Sequence, residues 1–380
     1  MASFIVFFLL FILPFVVAPF GITQFENPKV VFAEAVIILL FLVSIFNKNN
    51  ASHANPRHIL QITIYIIIVL ITILDLLFFK TQLSFFGNPF RMQGIFMLWM
   101  LLIFSFLSGS VSFEKIEGRF HRVASFFNTI LTSSWIFCLL LYSELFLMFF
   151  LPLNPSQRYV GTLGEPNALA AYALFLWPFG WFRIKQTSRS MIYTLLILFP
   201  VIIILYLSSS RSGMIAFGIE LLFIFLQSIN ISLVKNVIIC LIIYVISYIF
   251  PFFEHVPYEN RVEVWQSAFY AGVINPALGN GFGNTETSLH NAAAGINLPI
   301  QYYYVDSSHN IFLDWWVQGG VIGVTVLLLL VYLSFFYLIK QSKKRELVLL
   351  LGMITTLSFN PASIVGLLGF WWIIGRSFNK

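Results

Sequence analysis

The interval Pro251–Trp316 reads PFFEHVPYENRVEVWQSAFYAGVINPALGNGFGNTETSLHNAAAGINLPIQYYYVDSSHNIFLDWW and is the one long polar stretch of a 380-residue chain otherwise built of apolar runs. Within it stand Arg261, a glycine-rich turn from Asn275 to Asn284, three tyrosines at 302–304, and His309 beside Asn310. Guanidinium and imidazole groups hold anions and move protons. The rest of the chain decides where these groups are placed.

Hydrophobic residues make up 59% of the chain and charged residues 9%, and the mean hydropathy is +0.90. That leaves too little polar material to cover a soluble globule of this size, so the expected class is an all-α polytopic membrane protein. The apolar runs approach the length of about 20 residues that carries a helix across hydrocarbon, and they lack the alternation of an outer-membrane barrel. Helices satisfy every backbone group internally, as the bilayer demands. Cys138 and Cys240 both lie inside apolar runs, which excludes a disulfide scaffold and a cysteine-rich metal site. The first run, Phe4–Phe20, has no basic leader and no small-residue cleavage site and reads as a retained helix.

Twelve spans are expected, near 4–20, 30–46, 59–79, 95–111, 123–142, 168–182, 191–207, 214–229, 237–253, 317–339, 347–359 and 363–374. The last two are short and divided only by Asn360-Pro361, so eleven, with one bent span, is the competing count. No internal repeat or soluble domain interrupts 1–380, which reads as a single membrane domain with 251–316 as its large external loop. Of the 21 basic residues, fifteen fall on one set of connections and six on the other: Lys29, Lys80, Arg91, Arg158, Arg211 and Arg261. The richer set belongs on the cytoplasmic side. The 251–316 loop is then outside, with the shorter loops at 80–94, 152–167 and 208–213. The net charge of +6 reflects this placement and does not point to nucleic acid. The six external basic residues run against the bias, and each is a candidate anion ligand. Headgroup phosphates of membrane lipids are the competing partners for Lys29, Lys80 and Arg158. Past the fifth run, Pro152, Pro155 and Pro166 break helix, and Asn167 is a candidate N-cap for the next span.

Arg211 follows Ser208–Ser210 where a helix begins, and helix-start N–H groups, hydroxyls and a guanidinium together make an anion site. The competing reading is a serine cap with a snorkelling arginine. Arg261 has Glu259 and Glu263 as competing ion-pair partners, and Arg91 has Asp75. Glu34, Asp75, Glu144 and Glu220 are costly in a membrane and should face the bundle interior or water. Glu220 lies about two turns below Arg211 and is expected to line the path beneath it.

His309 suits a general base. Were the following helix to run through it, 309 and 314 would lie about 140° apart, which favours Asp306 over Asp314 as its orienting group. Asp306, His309 and Asp314 make a weak metal set, since no second histidine lies near, and arginines offset diphosphate charge without a divalent ion. No metal and no cofactor are expected. The glycines of NPALGNGFGN follow no strand and precede no P-loop lysine, so they read as tight turns, not as a nucleotide site. Tyr302, Tyr303 and Tyr304 suit either sugar stacking or an interfacial aromatic belt.

The pieces GNPFRMQG (87–94), GTLGEPNALAAY (161–172), SSSRSG (208–213), ENRVEVW, NPALGNGFGN and SSHNIFLDWWVQGGVIG occur in that order. In this order and spacing, over 87–323, the sequence resembles the O-antigen ligase and O-antigen polymerase superfamily. Ser212 stands where the pattern has glycine after arginine, with Gly213 one place later, and the loop is compact. The resemblance implies a C-type glycosyltransferase fold in the bacterial cytoplasmic (inner) membrane, with a large late periplasmic loop. It implies a metal-independent, inverting transfer of a glycan from undecaprenyl diphosphate. Arg211, Arg261 and Arg91 would hold the diphosphate, His309 would be the general base, and Asn310, Asp306, Ser210 and Glu220 would support them. The acceptor would be a growing O-antigen or other surface glycan, a lipid A core sugar or a protein hydroxyl, the last making a protein O-oligosaccharyltransferase. A flippase for lipid-linked oligosaccharides is the competing function, and it would need charged residues along the full membrane depth.

Overall fold

A computed structural model describes residues 2–46, 56–79, 81–109, 135–151, 153, 158–187, 191–249, 260–302 and 304–379. Helix α1 (Ala2–Phe7) runs on through tighter and wider turns to Phe15. It is followed by α2 (Glu26–Phe46), α3 (Pro56–Phe78), the short α4 (Gln82–Phe86) and α5 (Ile95–Gly109). Next come α6 (Trp135–Met148), α7 (Pro166–Thr187), α8 (Met191–Ser208), α9 (Arg211–Ser228) and α10 (Leu233–Ser247). The late segment folds as α11 (Arg261–Ile274) and α12 (Thr285–Gly295), before α13 (Ile311–Lys340), α14 (Lys344–Leu357) and α15 (Ile364–Phe378). Among the described residues four helices, α2, α3, α9 and α13, are long and apolar enough to cross a membrane, and six shorter apolar helices accompany them. The fold is all-helical, the one extended pairing among these residues being an isolated bridge between Leu153 and Tyr159. Most of the expected fifth span, 123–134, lies outside the described residues.

Helices α14 and α15 are buried almost end to end and form the centre of the bundle. They run antiparallel as a hairpin: Lys343 Nζ, before α14, donates to Arg376 O at 3.0 Å and Asn379 O at 2.6 Å, at the end of α15. One bent rod would hold those ends apart. Glycine permits the tightest approach, since a Cβ on Gly375 would lie 1.9 Å from Ser105 O of α5, and one on Gly109 2.4 Å from Gly375 O. Such small-residue contacts carry helix association where lipid removes the hydrophobic drive. Asp75, Glu144 and Glu220 are buried as expected, whereas Glu34 is half-buried on α2.

One joint fixes the late segment to the bundle. Helix α13 is kinked at Gly320, where φ is 58° and ψ is −155°. The turn 276–281 fills that kink: Asn280 N donates to Val317 O at 2.8 Å and Gly281 N to Gln318 O at 3.0 Å. In return, Val321 N donates to Pro276 O at 2.8 Å. The kink frees backbone groups that the turn then satisfies. Gly279, Gly281 and Gly283 all have positive φ (72°, 86° and 82°), so the glycine-rich motif is a chain of tight turns.

Candidate active site

Helix N-termini gather at the end of the bundle that carries α11 and α12. Ser210 caps α9, accepting from Gly213 N at 3.2 Å, and its hydroxyl donates to Asn167 Oδ1 at 2.9 Å, in the first turn of α7. Ser212 donates to Asn360 Oδ1 at 3.0 Å, which ties α9 to the turn before α15. Asn310 caps α13, accepting from Phe312 N at 3.0 Å and Leu313 N at 3.2 Å. Its Nδ2 reaches Tyr248 OH at 3.2 Å, and Tyr248, Tyr244 and Ser358 continue the chain of bonds to that same turn. Helix α11 joins through Trp265, whose ring lies 5.5 Å from Tyr248 and 6.1 Å from Phe359. Each N-terminus presents the positive end of its helix dipole.

Arginines crowd the same place. Arg211 and Arg261 are each the first residue of their helix, after caps of almost equal geometry: Ser210 at φ −84°, ψ 101° and Asn260 at φ −86°, ψ 103°. Arg158 joins them. Its Nε donates to Ser208 O at 2.7 Å, and its Nη2 to Ser209 O and Asn167 Oδ1, both at 3.2 Å. Burial, and after it the like charge of Arg261 and then of Arg211, pulls the Arg158 guanidinium below its ordinary value, against the opposing pull of Glu165. Neither Arg158 nor Lys29 reads as a headgroup ligand here. Lys29 is fully buried and donates to Phe25 O at 2.9 Å and Thr162 O at 2.7 Å, and Lys80 lies outside the described residues. The signal for Arg158 was the one that marked Arg211, an arginine on the sparsely basic side. Glu259, the expected rival partner of Arg261, lies outside the described residues, and Glu263 accepts from Asn260 at 3.1 Å.

His309 is buried, at 9% exposure, and takes a left-handed backbone at φ 56°. Strain of this kind collects where function needs it. Its N–H donates to Ser307 Oγ at 3.1 Å, and its side chain lies within electrostatic reach of Asp314. Helix α13 begins at Ile311, so the 140° separation expected for 309 and 314 does not apply. Asp314 accepts from Ser308 N at 2.7 Å and so buttresses the turn that presents the imidazole. Asp306, expected to orient His309, is instead engaged by Arg91 Nε. Among the described residues no three His, Cys, Asp or Glu converge as metal ligands.

Three further expectations change. Arg91 does not pair with Asp75. It binds Asp306 and approaches Glu165 Oε2 at 3.6 Å. Burial opposes its charge, but Asp306, then Glu165 and Glu26, hold the guanidinium above its ordinary value. Asp75 accepts from Phe282 N at 3.3 Å, on the glycine-rich turn. Glu220 lines no path below Arg211: it is fully buried, accepts from Trp177 Nε1 at 2.6 Å and presses on Gly352 of α14. Asn167 is not a cap, because α7 already starts at Pro166, a residue suited to the first helical position. Of the three tyrosines, Tyr304 is 55% exposed and packs on Phe90 with ring centroids 4.9 Å apart, while Tyr303 lies outside the described residues.

No curated protein matches the chain. Residues 194–328, about a third of its length, match the family model described as O-antigen ligase. That span runs from α8 to the middle of α13 and contains Arg211, Arg261, the glycine-rich turn and His309. Over that span the chain is similar to the O-antigen ligase family, which supports a place in the O-antigen ligase and polymerase superfamily, and its apolar helices agree with a multi-pass membrane protein.

Proposed function

We propose that the protein transfers a glycan from undecaprenyl diphosphate to an acceptor hydroxyl at the outer face of the bacterial cytoplasmic membrane, without a metal and with inversion at the anomeric carbon. One observation carries this reading: Arg211 and Arg261 both lie within electrostatic reach of Arg158 where several helices begin. Such a place favours an anion with several oxygens. Arg211 and Arg261 would hold the diphosphate and favour the charge that grows as the C1–oxygen bond breaks. Arg158 would hold the turn that presents Arg211. Arg91, engaged by two carboxylates, is better suited to fixing the neighbouring loops than to meeting the diphosphate.

In the transfer, the acceptor oxygen attacks C1 from the face opposite the diphosphate, and its proton passes to His309. The C1–oxygen electron pair leaves with undecaprenyl diphosphate, which is a good leaving group without separate protonation. Asp314 would stabilise the imidazolium so formed, and Asn310 would hold the start of α13 that fixes both. Growing O-antigen, a lipid A core sugar and a protein hydroxyl all fit this chemistry as acceptors.

Purified protein in nanodiscs, mixed with glycan-loaded undecaprenyl diphosphate and candidate acceptors, tests the reading. The expected result is an inverted glycosidic bond and free undecaprenyl diphosphate, undiminished by EDTA. Activity lost in EDTA and restored by Mg²⁺ or Mn²⁺ would favour a metal held by Asp306, His309 and Asp314. Movement of the lipid-linked glycan across vesicles with no new bond would favour a flippase.

A further inference from the structure

A second polar feature lies beside the arginines, and its charge is opposite. A cavity of about 290 Å³ is lined by Glu26, Glu165, Asp306 and Arg91, with the rings of Phe90 and Tyr304 at its side. Three carboxylates against one guanidinium make it a poor place for a diphosphate. Glu165 links the two features, because its charge acts on both Arg91 and Arg158. Asp306 stands three residues before His309, so the cavity lies next to the proposed base as well.

The lining is more than an ion-pair knot. Glu26 is 9% exposed, and its Oε1 accepts from Ile364 N at 2.6 Å, at the start of α15. Its other carboxylate oxygen accepts no hydrogen bond from the described residues, although the residue borders the cavity. A carboxylate oxygen left open at the cavity lining is an acceptor that a ligand bringing O–H groups can meet. Phe90 and Tyr304 meet at 56° with centroids 4.9 Å apart and offer apolar faces to a ring that carries C–H on one side and hydroxyls on its edge. The volume matches about ten waters at roughly 30 Å³ each, enough for one sugar ring. A divalent cation is disfavoured, since no metal-ligating trio converges among the described residues.

We propose that this cavity is a sugar subsite which takes the terminal ring of the acceptor glycan, Glu26 and Glu165 accepting its hydroxyls and Phe90 and Tyr304 packing on its face. The assignment of the ring to the acceptor rests on the transfer reading above; the sugar-binding chemistry does not. The seated ring has one hydroxyl directed toward His309, and the acidic lining keeps the donor's diphosphate on the arginine side.

The test is direct binding, by saturation-transfer NMR on protein in nanodiscs, with a panel of free trisaccharides of neutral hexoses and N-acetylhexosamines as probes. Glu165→Gln and Tyr304→Ala are each expected to weaken binding about tenfold, the loss of one charge-assisted hydrogen bond or one stacking face. Tyr304→Phe, which keeps the ring, should bind as the parent does. Undecaprenyl diphosphate binding, measured on the same samples, should be unchanged in all three. If no panel sugar binds, or if binding ignores both Glu165→Gln and Tyr304→Ala, the subsite assignment is overturned whatever the donor does. Sugar binding intact in a protein that fails to bind undecaprenyl diphosphate would uphold the cavity and sink the transfer reading instead.

Discussion

Arg158 donates from Nε to the carbonyl of Ser208 at 2.7 Å, 50 residues along the chain, and so braces the turn from which Arg211 projects. Lysine at 158 keeps the charge but cannot reach Ser208, Ser209 and Asn167 together, because its donors sit on a single nitrogen. Arg158→Lys is therefore expected to weaken undecaprenyl diphosphate binding about tenfold, comparable to Arg211→Lys. Since both act through one turn, the double variant should lose less than the sum of the two. Strict additivity in a binding titration would show that Arg158 does not act through Arg211.

His309 combines a proposed chemical role with a strained backbone, and the two are separable. His309→Ala and His309→Gly should both lower turnover by about 10² to 10⁴, the usual loss for a general base, with donor binding intact. In stability they should differ, because φ of 56° is awkward for alanine and free for glycine. The glycine variant should be more stable than the alanine variant by about 1 kcal/mol, read by thermal unfolding in detergent. Near-parental turnover of His309→Ala through the neutral pH range would remove His309 as the base even with the family assignment intact.

At Gly320 the kink and the glycine-rich turn meet. A Cβ there would lie 2.6 Å from the carbonyl carbon of Ala277, on a backbone with φ of 58°, so both space and conformation oppose any side chain. Gly320→Ala is expected to cost upwards of roughly 2 kcal/mol and to lower the folded yield. Gly319→Ala, whose Cβ would meet the Phe282 ring at an ordinary 3.5 Å, should be tolerated. Equal melting temperatures for the two would refute the proposed joint.

Orientation is open to labelling. Asn291 and Ser342 are both exposed, while the native thiols Cys138 and Cys240 are buried and should give little background. A cysteine at 291 should react with an impermeant maleimide in intact cells, and one at 342 only after permeabilisation. The reverse pattern would put the arginine cluster on the face without lipid-linked glycan and end the proposed mechanism.

Class and most helix positions were legible along the chain. Apolar length and composition announce membrane helices because hydrocarbon tolerates little else. Arg211, Arg261 and His309 stood out as polar groups in places where neither bilayer nor charge bias explains them. The hairpin of α14 and α15 was readable only as an ambiguity, because Asn360-Pro361 can bend a helix or reverse it, and the contact of Lys343 with Arg376 and Asn379 is what distinguishes the two.

Partnership was not legible. Arg91 reaches Asp306 across 215 residues, not Asp75 nearby. Asp314 supports the turn of His309 because α13 starts two residues after it. Glu220 belongs to Trp177 and Gly352 although it shares a helix with Arg211. Sequence by itself determines which segments must be helical and which polar groups are too costly to keep without work, since those depend on local composition and on solvent. Which groups meet depends on how the helices pack, and in a bundle whose surfaces are nearly all apolar that packing is set by glycine contacts, kinks and caps with no long-range mark in the chain.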